Sequence, residues 1–140
     1  TTIMIAIVTA QFNSHITHLL EAGCVDFLNE QQAAYQIFEC PGAVETVVYC
    51  TKLLETKKFQ SIIVIGAIIK GDTDHYEYVC QYVTNGISTL SSMHSTPIVF
   101  GILTTQNEEQ AYERAAIDKM NKGKEFAETA IFMTEAFRKI

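Results

Sequence analysis

The sequence has no tryptophan, only two prolines and seven glycines. So few backbone breakers exclude a collagen-like chain or a Pro/Gly-rich disordered one. Positive charge is scarce too: ten Lys and Arg stand against sixteen Asp and Glu, for a net charge of −6. General nucleic-acid binding needs a concentrated cationic surface, so this balance argues against it. The longest apolar run, Ile62 to Ile69, falls far short of the about 20 residues that a membrane-spanning helix needs. No charged segment followed by a long apolar stretch marks a secretory signal. The chain opens Thr1-Thr2 without a Met, so native residues are expected ahead of it. The four cysteines, Cys24, Cys40, Cys50 and Cys80, form no Cys-x-x-Cys pair and have no His at zinc-ligand spacing. Each falls in an apolar pattern, where a thiol behaves as a small hydrophobe. All four are expected to be reduced core residues of a cytoplasmic protein.

Against these absences, 48% of the 140 residues are apolar and 19% charged, the composition of a folded protein with a real core. One domain, 1–140, is expected, since no linker, repeat or low-complexity segment divides it. The apolar pattern alternates between two periods. Ile3 to Thr9, a β-branched run, predicts a strand. From Ser14, the spacing of Ile16, Leu19, Leu20, Cys24, Val25 and Leu28 predicts a helix. Tyr35 to Cys40 predicts a second strand, ended by Pro41-Gly42, and Glu45 to Thr56 a second helix. Ser61 to Ile69 is continuously apolar, as in a strand buried on both faces of a parallel sheet. His75 to about His94 reads as a helix, and Pro97 to Leu103 as a fourth strand with its proline where a strand start tolerates it. Asn107 to about Lys119 reads as a helix capped by Thr105 or Asn107, with Glu108 and Glu109 in its first turn. Asn121-Lys122-Gly123 breaks it, and Glu125 to Arg138 forms the last helix. This alternation predicts a three-layer αβα, flavodoxin-like α/β domain built on a parallel four-stranded sheet.

In such a sheet, ligands gather beyond the carboxyl ends of the strands, and the unusual residues fall there. Gln11-Phe12-Asn13 follows the first strand, Pro41 to Glu45 the second, Lys70 to His75 the third and Thr104-Thr105 the fourth. Phe12 reads equally as a stacking platform for a planar heterocycle or as a hydrophobic staple at the start of a helix. Glu45 reads as a capping acid in a first helical turn, or as an acceptor for the hydroxyls of a polyol. Lys70 to His75 is the strongest constellation: Gly71 and Thr73 expose backbone amides and a hydroxyl at a helix N-terminus, an anion site. Gly71 would admit close backbone approach. His75 beside that site suits acid/base chemistry near neutral pH; the other reading is a helix-start histidine bonded to Asp74. His15, His18 and His94 lack partners at ligand spacing and read as solvated. Arg114 and Lys122 flank a helix end, where cations complement the dipole, and Arg114 reads equally as a phosphate clamp.

These residues carry a resemblance. Gln11-Phe12-Asn13, Pro41-Gly42-Ala43-Val44-Glu45 and Gly66-Ala67-Ile68-Ile69-Lys70-Gly71-Asp72-Thr73-Asp74-His75-Tyr76-Glu77-Tyr78-Val79 resemble motifs of the lumazine synthase family in order and spacing. So do Pro97 to Thr105, Glu108 to Ala115 and Asn121-Lys122-Gly123. The resemblance covers essentially the whole chain. It implies a riboflavin-pathway transferase that condenses 5-amino-6-(D-ribitylamino)uracil with 3,4-dihydroxy-2-butanone 4-phosphate. The product is 6,7-dimethyl-8-ribityllumazine; phosphate and two waters leave, and no metal or organic cofactor takes part.

By the same resemblance, Phe12 stacks on the pyrimidine, and Ala43, Val44 and Glu45 hold the ribityl chain. Backbone at Ala67, Ile68 and Ile69 reads the uracil edge. Asp72 and Thr73 bind phosphate with Arg114, and His75 transfers protons. Phe100, Arg114 and Lys122 match positions that a neighbouring subunit contributes, so the site is expected to be shared in a homo-oligomer, a pentamer or a sixty-subunit shell. The short Asp118 to Asn121 connection leans towards shell-forming relatives. Small-molecule substrates are the expected partners, with neither nucleic acid nor membrane. Holding two reactive substrates in register is then the main task; His75 would add a factor on the order of 10²-fold.

The chain departs from the family pattern at four places. Asp72 stands where Ala or Gly is common, and a carboxylate beside a phosphate repels it unless it points away or pairs with Lys70 or Arg114. Val44 replaces a frequent aromatic, Ala116 a usual Gly, and the N-terminus is short where relatives pair with the next subunit's sheet. Two other readings share the fold: an archaeal-type riboflavin synthase, and a flavin- or lumazine-binding or shell-forming protein without turnover.

Overall fold

Apolar, largely β-branched runs build the central strands of the sheet, as expected. In the computed structural model, which describes residues 3–140, the strands are β1 (Met4–Ala10), β2 (Ala34–Cys40), β3 (Ser61–Ile69) and β4 (Ile98–Thr105). All pair in parallel, in the order β2-β1-β3-β4. The expectation drawn from Thr1-Thr2 lies outside the described residues. Five helices follow in turn: α1 (Ser14–Glu30), α2 (Glu45–Thr56), α3 (His75–Met93), α4 (Glu108–Ala115) and α5 (Lys122–Arg138).

The two-residue period of the strands sorts the core into two layers. Ile5, Ile7, Ile63 and Ile65 pack with Ile16, Leu20 and Ala127 under α1, α4 and α5. Ala6, Val8, Ile62 and Val64 pack with Leu53, Val83 and Ile87 under α2 and α3. Sheet between two helical layers gives the three-layer flavodoxin-like α/β fold. Its central strands are almost wholly apolar because both faces are buried, with Thr9 and Ser61 the buried polar exceptions. Shortening Ile63 or Ile65 to Ala would cost about 2–5 kcal/mol.

The last third of the chain departs from the expected boundaries. β4 runs on through Thr104 and Thr105, paired with Ile68 and Ile69. α4 ends at Ala115, because Ala116 takes an extended backbone (ψ 137°). Lys122 and Gly123 are not a break but the first turn of α5; the break is Asn121, left-handed at φ 49°. Gly123 belongs in that helix because it touches α1: a Cβ there would lie 2.0 Å from the Leu20 carbonyl oxygen. Close backbone approach, invisible to periodicity, overrides the usual meaning of Asn-Lys-Gly as a stop. Lys122 therefore sits at a helix start, unfavourable for a cation, and its Nζ lies 3.1 Å from Glu125. Three cysteines are buried as expected, whereas Cys80 is half-buried; all four thiols are free.

Candidate active site

β1 connects to β2 on one side and β3 to β4 on the other, so the strand order reverses between β1 and β3. A crevice opens at such a reversal. Here it is a cavity of about 590 Å³ that brings together Phe12, Asn13, Glu45, Thr73 and His75. Ala43, Val44, Ala67, Ile68 and Ile69 also line it, with Gly42, Tyr76 and Val79.

Two backbone hydrogen bonds carry the β1 and β2 loops past the sheet together: the Gln11 amide donates to Cys40 and the Phe12 amide to Pro41, at 2.8 and 2.9 Å. Phe12 is left 71% exposed over the cavity. That is the disposition of a platform rather than of a folded-back staple. Glu45 opens α2, yet its carboxylate accepts no hydrogen bond from the first-turn amides. It folds instead over Gly42, where an added Cβ would stand 3.1 Å from Oε1 and 3.9 Å from the Phe12 Cβ. A side chain at position 42 would push the carboxylate off this position.

The floor comes from β3. The ladder between β1 and β3 stops at Thr9–Ile65, while β3 continues for four more residues paired only with β4. The Ile62 and Lys70 amides bond to β4-side carbonyls. By alternation, Ala67 and Ile69 direct their N–H and C=O groups towards the side where β1 has ended. The Ala67 carbonyl accepts from Asn13 Nδ2 at 2.8 Å. The rest of that edge can read a flat polar ring.

At the far wall, the Thr73 hydroxyl oxygen accepts from the His75 amide at 3.3 Å, leaving its proton available to an anion at the start of the 19-residue α3. Among the described residues the His75 imidazole has no side-chain partner, so it is not tied to Asp74. A Cβ on Gly71 would meet nothing within 4 Å. The fold itself does not require glycine there; the space is open to a ligand. Burial, and next the Cys80 thiol, push the Tyr76 phenol up, with Thr104 opposing. Burial and then Glu45 push Cys40 up to about 11, and burial foremost raises Cys80. These thiols stay protonated and neutral beside the site.

Asp72, Phe100, Arg114 and Lys122 do not line the cavity. Asp72 is exposed on its loop. Phe100 is 41% exposed on the edge strand β4, on the strand face it shares with Ile98 and Ile102. Arg114 Nη1 donates to the Gln110 carbonyl at 3.1 Å in the last turn of α4. His15, expected to be solvated, lies 2.8 Å from Glu108 though both remain exposed. Among the described residues no group of three His, Cys, Asp or Glu is placed to hold a metal ion.

Residues 2–138 match the model of the 6,7-dimethyl-8-ribityllumazine synthase family. The chain belongs to that family. Three relatives from strains of Coxiella burnetii, each named 6,7-dimethyl-8-ribityllumazine synthase, are 39%, 38% and 38% identical over 139 residues. Those alignments cover 97% of this chain and 92% of each relative. Within the lumazine synthase family frame, the motif residues from three strand ends meet at one cavity. The sequence reading passed over Asn13, Gly42, Tyr76 and Val79 as site residues. Tyr76 and Val79 follow His75 by one and four positions, and the helical repeat that brings His75 and Val79 to one face was available as a signal.

Proposed function

We propose that this cavity is the active site in which the chain condenses 5-amino-6-(D-ribitylamino)uracil with 3,4-dihydroxy-2-butanone 4-phosphate. The reaction, the formation of 6,7-dimethyl-8-ribityllumazine with loss of phosphate and water in riboflavin biosynthesis, is that of a transferase of this family. The observation that carries the assignment to this cavity is the meeting of Phe12, Glu45, the open β3 edge, Thr73 and His75 around one space. Phe12 stacks on the pyrimidine. The Ala67–Ile69 backbone holds the uracil edge, and Ala43, Val44 and Glu45 receive the ribityl chain. Thr73 and the α3 amides take the phosphate. That juxtaposition presents the amine to the carbonyl, which is most of the catalysis. His75, beside the phosphate and free of other partners, accepts and returns the protons displaced as water and phosphate leave.

The charge in the cavity points to an assembly. Its lining contains Glu45 but no Lys or Arg, so a phosphate bound here meets a carboxylate and no cation. Arg114, Lys122 and Phe100, outside the cavity of their own chain, supply what is missing when a second copy docks. Exposed Val48, Tyr78 and Tyr82 on α2 and α3, with Phe132 on α5, fit such contacts. We read this assembly as the pentamer that the family resemblance implies, with sites shared between neighbours; a sixty-subunit shell would be its further assembly. Asp72 is exposed and outside the lining, so a phosphate held by Thr73 and the α3 amides need not meet its carboxylate. Among the described residues no helix is long and apolar enough to cross a membrane, and the free thiols fit the reducing cytoplasm.

Incubation with both substrates should yield the fluorescent lumazine well above the spontaneous rate. A rate equal to the uncatalysed background sinks the assignment. Sedimentation separates a monomer, a pentamer and a shell.

A further inference from the structure

We propose that Asn13 is a positioning residue that decides which backbone groups of the β3 edge face the pyrimidine. The proposal deepens the function proposed above and rests on it. Had β1 continued beside β3, register would bring the Phe12 amide to the Ala67 carbonyl, one step beyond the Thr9–Ile65 pair. The chain instead leans towards β2: the Gln11 and Phe12 amides both donate to carbonyls at the β2 end, Cys40 and Pro41. This movement opens the gap above β3 and leaves Ala67 without its strand partner. Asn13 then turns left-handed (φ 62°), a conformation that Asn tolerates better than most residues. Its side-chain Nδ2 reaches Ala67 at 2.8 Å. The amide thus stands in for the missing strand.

Two consequences follow. The Phe12 ring, released from the ladder, projects over the gap, with its loop pinned on one side to Pro41 and on the other, through Asn13, to Ala67. The polarity of the edge is also set. With the Ala67 carbonyl engaged, the groups left facing the gap are the Ala67 N–H and the N–H and C=O of Ile69. That array suits a ring edge with neighbouring acceptor and donor atoms, the edge of a cyclic ureide. Removing the Asn13 amide would add a bare acceptor to this edge and change the donor and acceptor pattern that the ring meets. Asn13 therefore couples the stacking platform and the reading edge without having to react.

Two variants test this. Asn13→Asp keeps the shape and the tolerance for left-handed backbone but removes the donor; Asn13→Gly keeps the backbone freedom and removes the amide. Both are expected to raise KM for the ribitylaminouracil roughly tenfold or more, the scale of a buried carbonyl losing its partner. KM for the butanone phosphate should stay within about twofold and kcat within about threefold of wild type, with an unchanged thermal midpoint. If Asn13→Asp alone lowers the midpoint, Asn13→Gly carries the test. An unchanged pyrimidine KM overturns the proposal. So does an equal rise in both KM values, or loss of the fold in both variants, since either marks a merely structural role. A wild-type chain without turnover overturns the proposed function, and this proposal with it, before any variant is made.

Discussion

At the carboxyl ends of β1, β2 and β3 the chain gathers Phe12, Glu45, Thr73 and His75 around one cavity. Along β4, α4 and α5 it carries Phe100, Arg114 and Lys122 outside that cavity. The first region has an exposed aromatic, a carboxylate, a hydroxyl at a helix start and an imidazole, but no permanent cation. The second has the cations and an aromatic on an edge strand, none of which lines that cavity. Neither region by itself would hold a phosphorylated substrate against a heterocycle. On the function proposed above, the difference means that one copy of the chain carries two incomplete halves on different flanks, and that activity would require copies to meet.

The largest effect is expected where that comparison is sharpest. Arg114→Ala should lower kcat/KM by about 10²-fold or more although Arg114 touches nothing in its own cavity, because a charge-assisted clamp on phosphate is lost. Steady-state kinetics with varied butanone phosphate would detect it, and a loss under threefold would break the two-halves account. His75→Ala should lower kcat by about 10–10²-fold with little change in either KM. Co-assembling these two weak variants should give more activity than either has alone, since some neighbours then pair an intact cavity with an intact cationic flank. No gain on mixing would place both halves in one chain.

A smaller effect is expected at the platform. Phe12→Ala should raise KM for the ribitylaminouracil about 3–10-fold, on the scale of one stacking contact, and leave the butanone phosphate KM alone. Asp72→Asn should be smallest, within about twofold in kcat/KM, because the carboxylate is exposed and lines no part of the cavity. A larger gain in phosphate affinity on removing that charge would show that Asp72 faces the anion after all.

Much of the fold was legible because periodicity reports burial. Ser61–Ile69 could only be a doubly buried strand, and the helix at His75–Met93 announced itself by its spacing. The misread segment, Ala116 to Gly123, depended on contact: Gly123 is helical because the α1 backbone lies against it. Within the site, His75, Glu45 and Phe12 were visible as residue types at strand ends, each with two readings. The fold places these side chains for reasons absent from the string. Glu45 turns from its helix amides over Gly42, His75 has no neighbouring partner, and Phe12 is held out by the Pro41 carbonyl.

By itself, then, the sequence determined the order of strands and helices, the sheet faces that must be buried, and the loops where chemistry could collect. These depend on local period and composition, which a linear string contains. Only the tertiary structure decided that β1 stops short of β3, that Asn13 takes the vacated carbonyl, and that Arg114 and Lys122 stand apart from the cavity. Those outcomes depend on register and on which surfaces share a space, and neither exists until the sheet has formed.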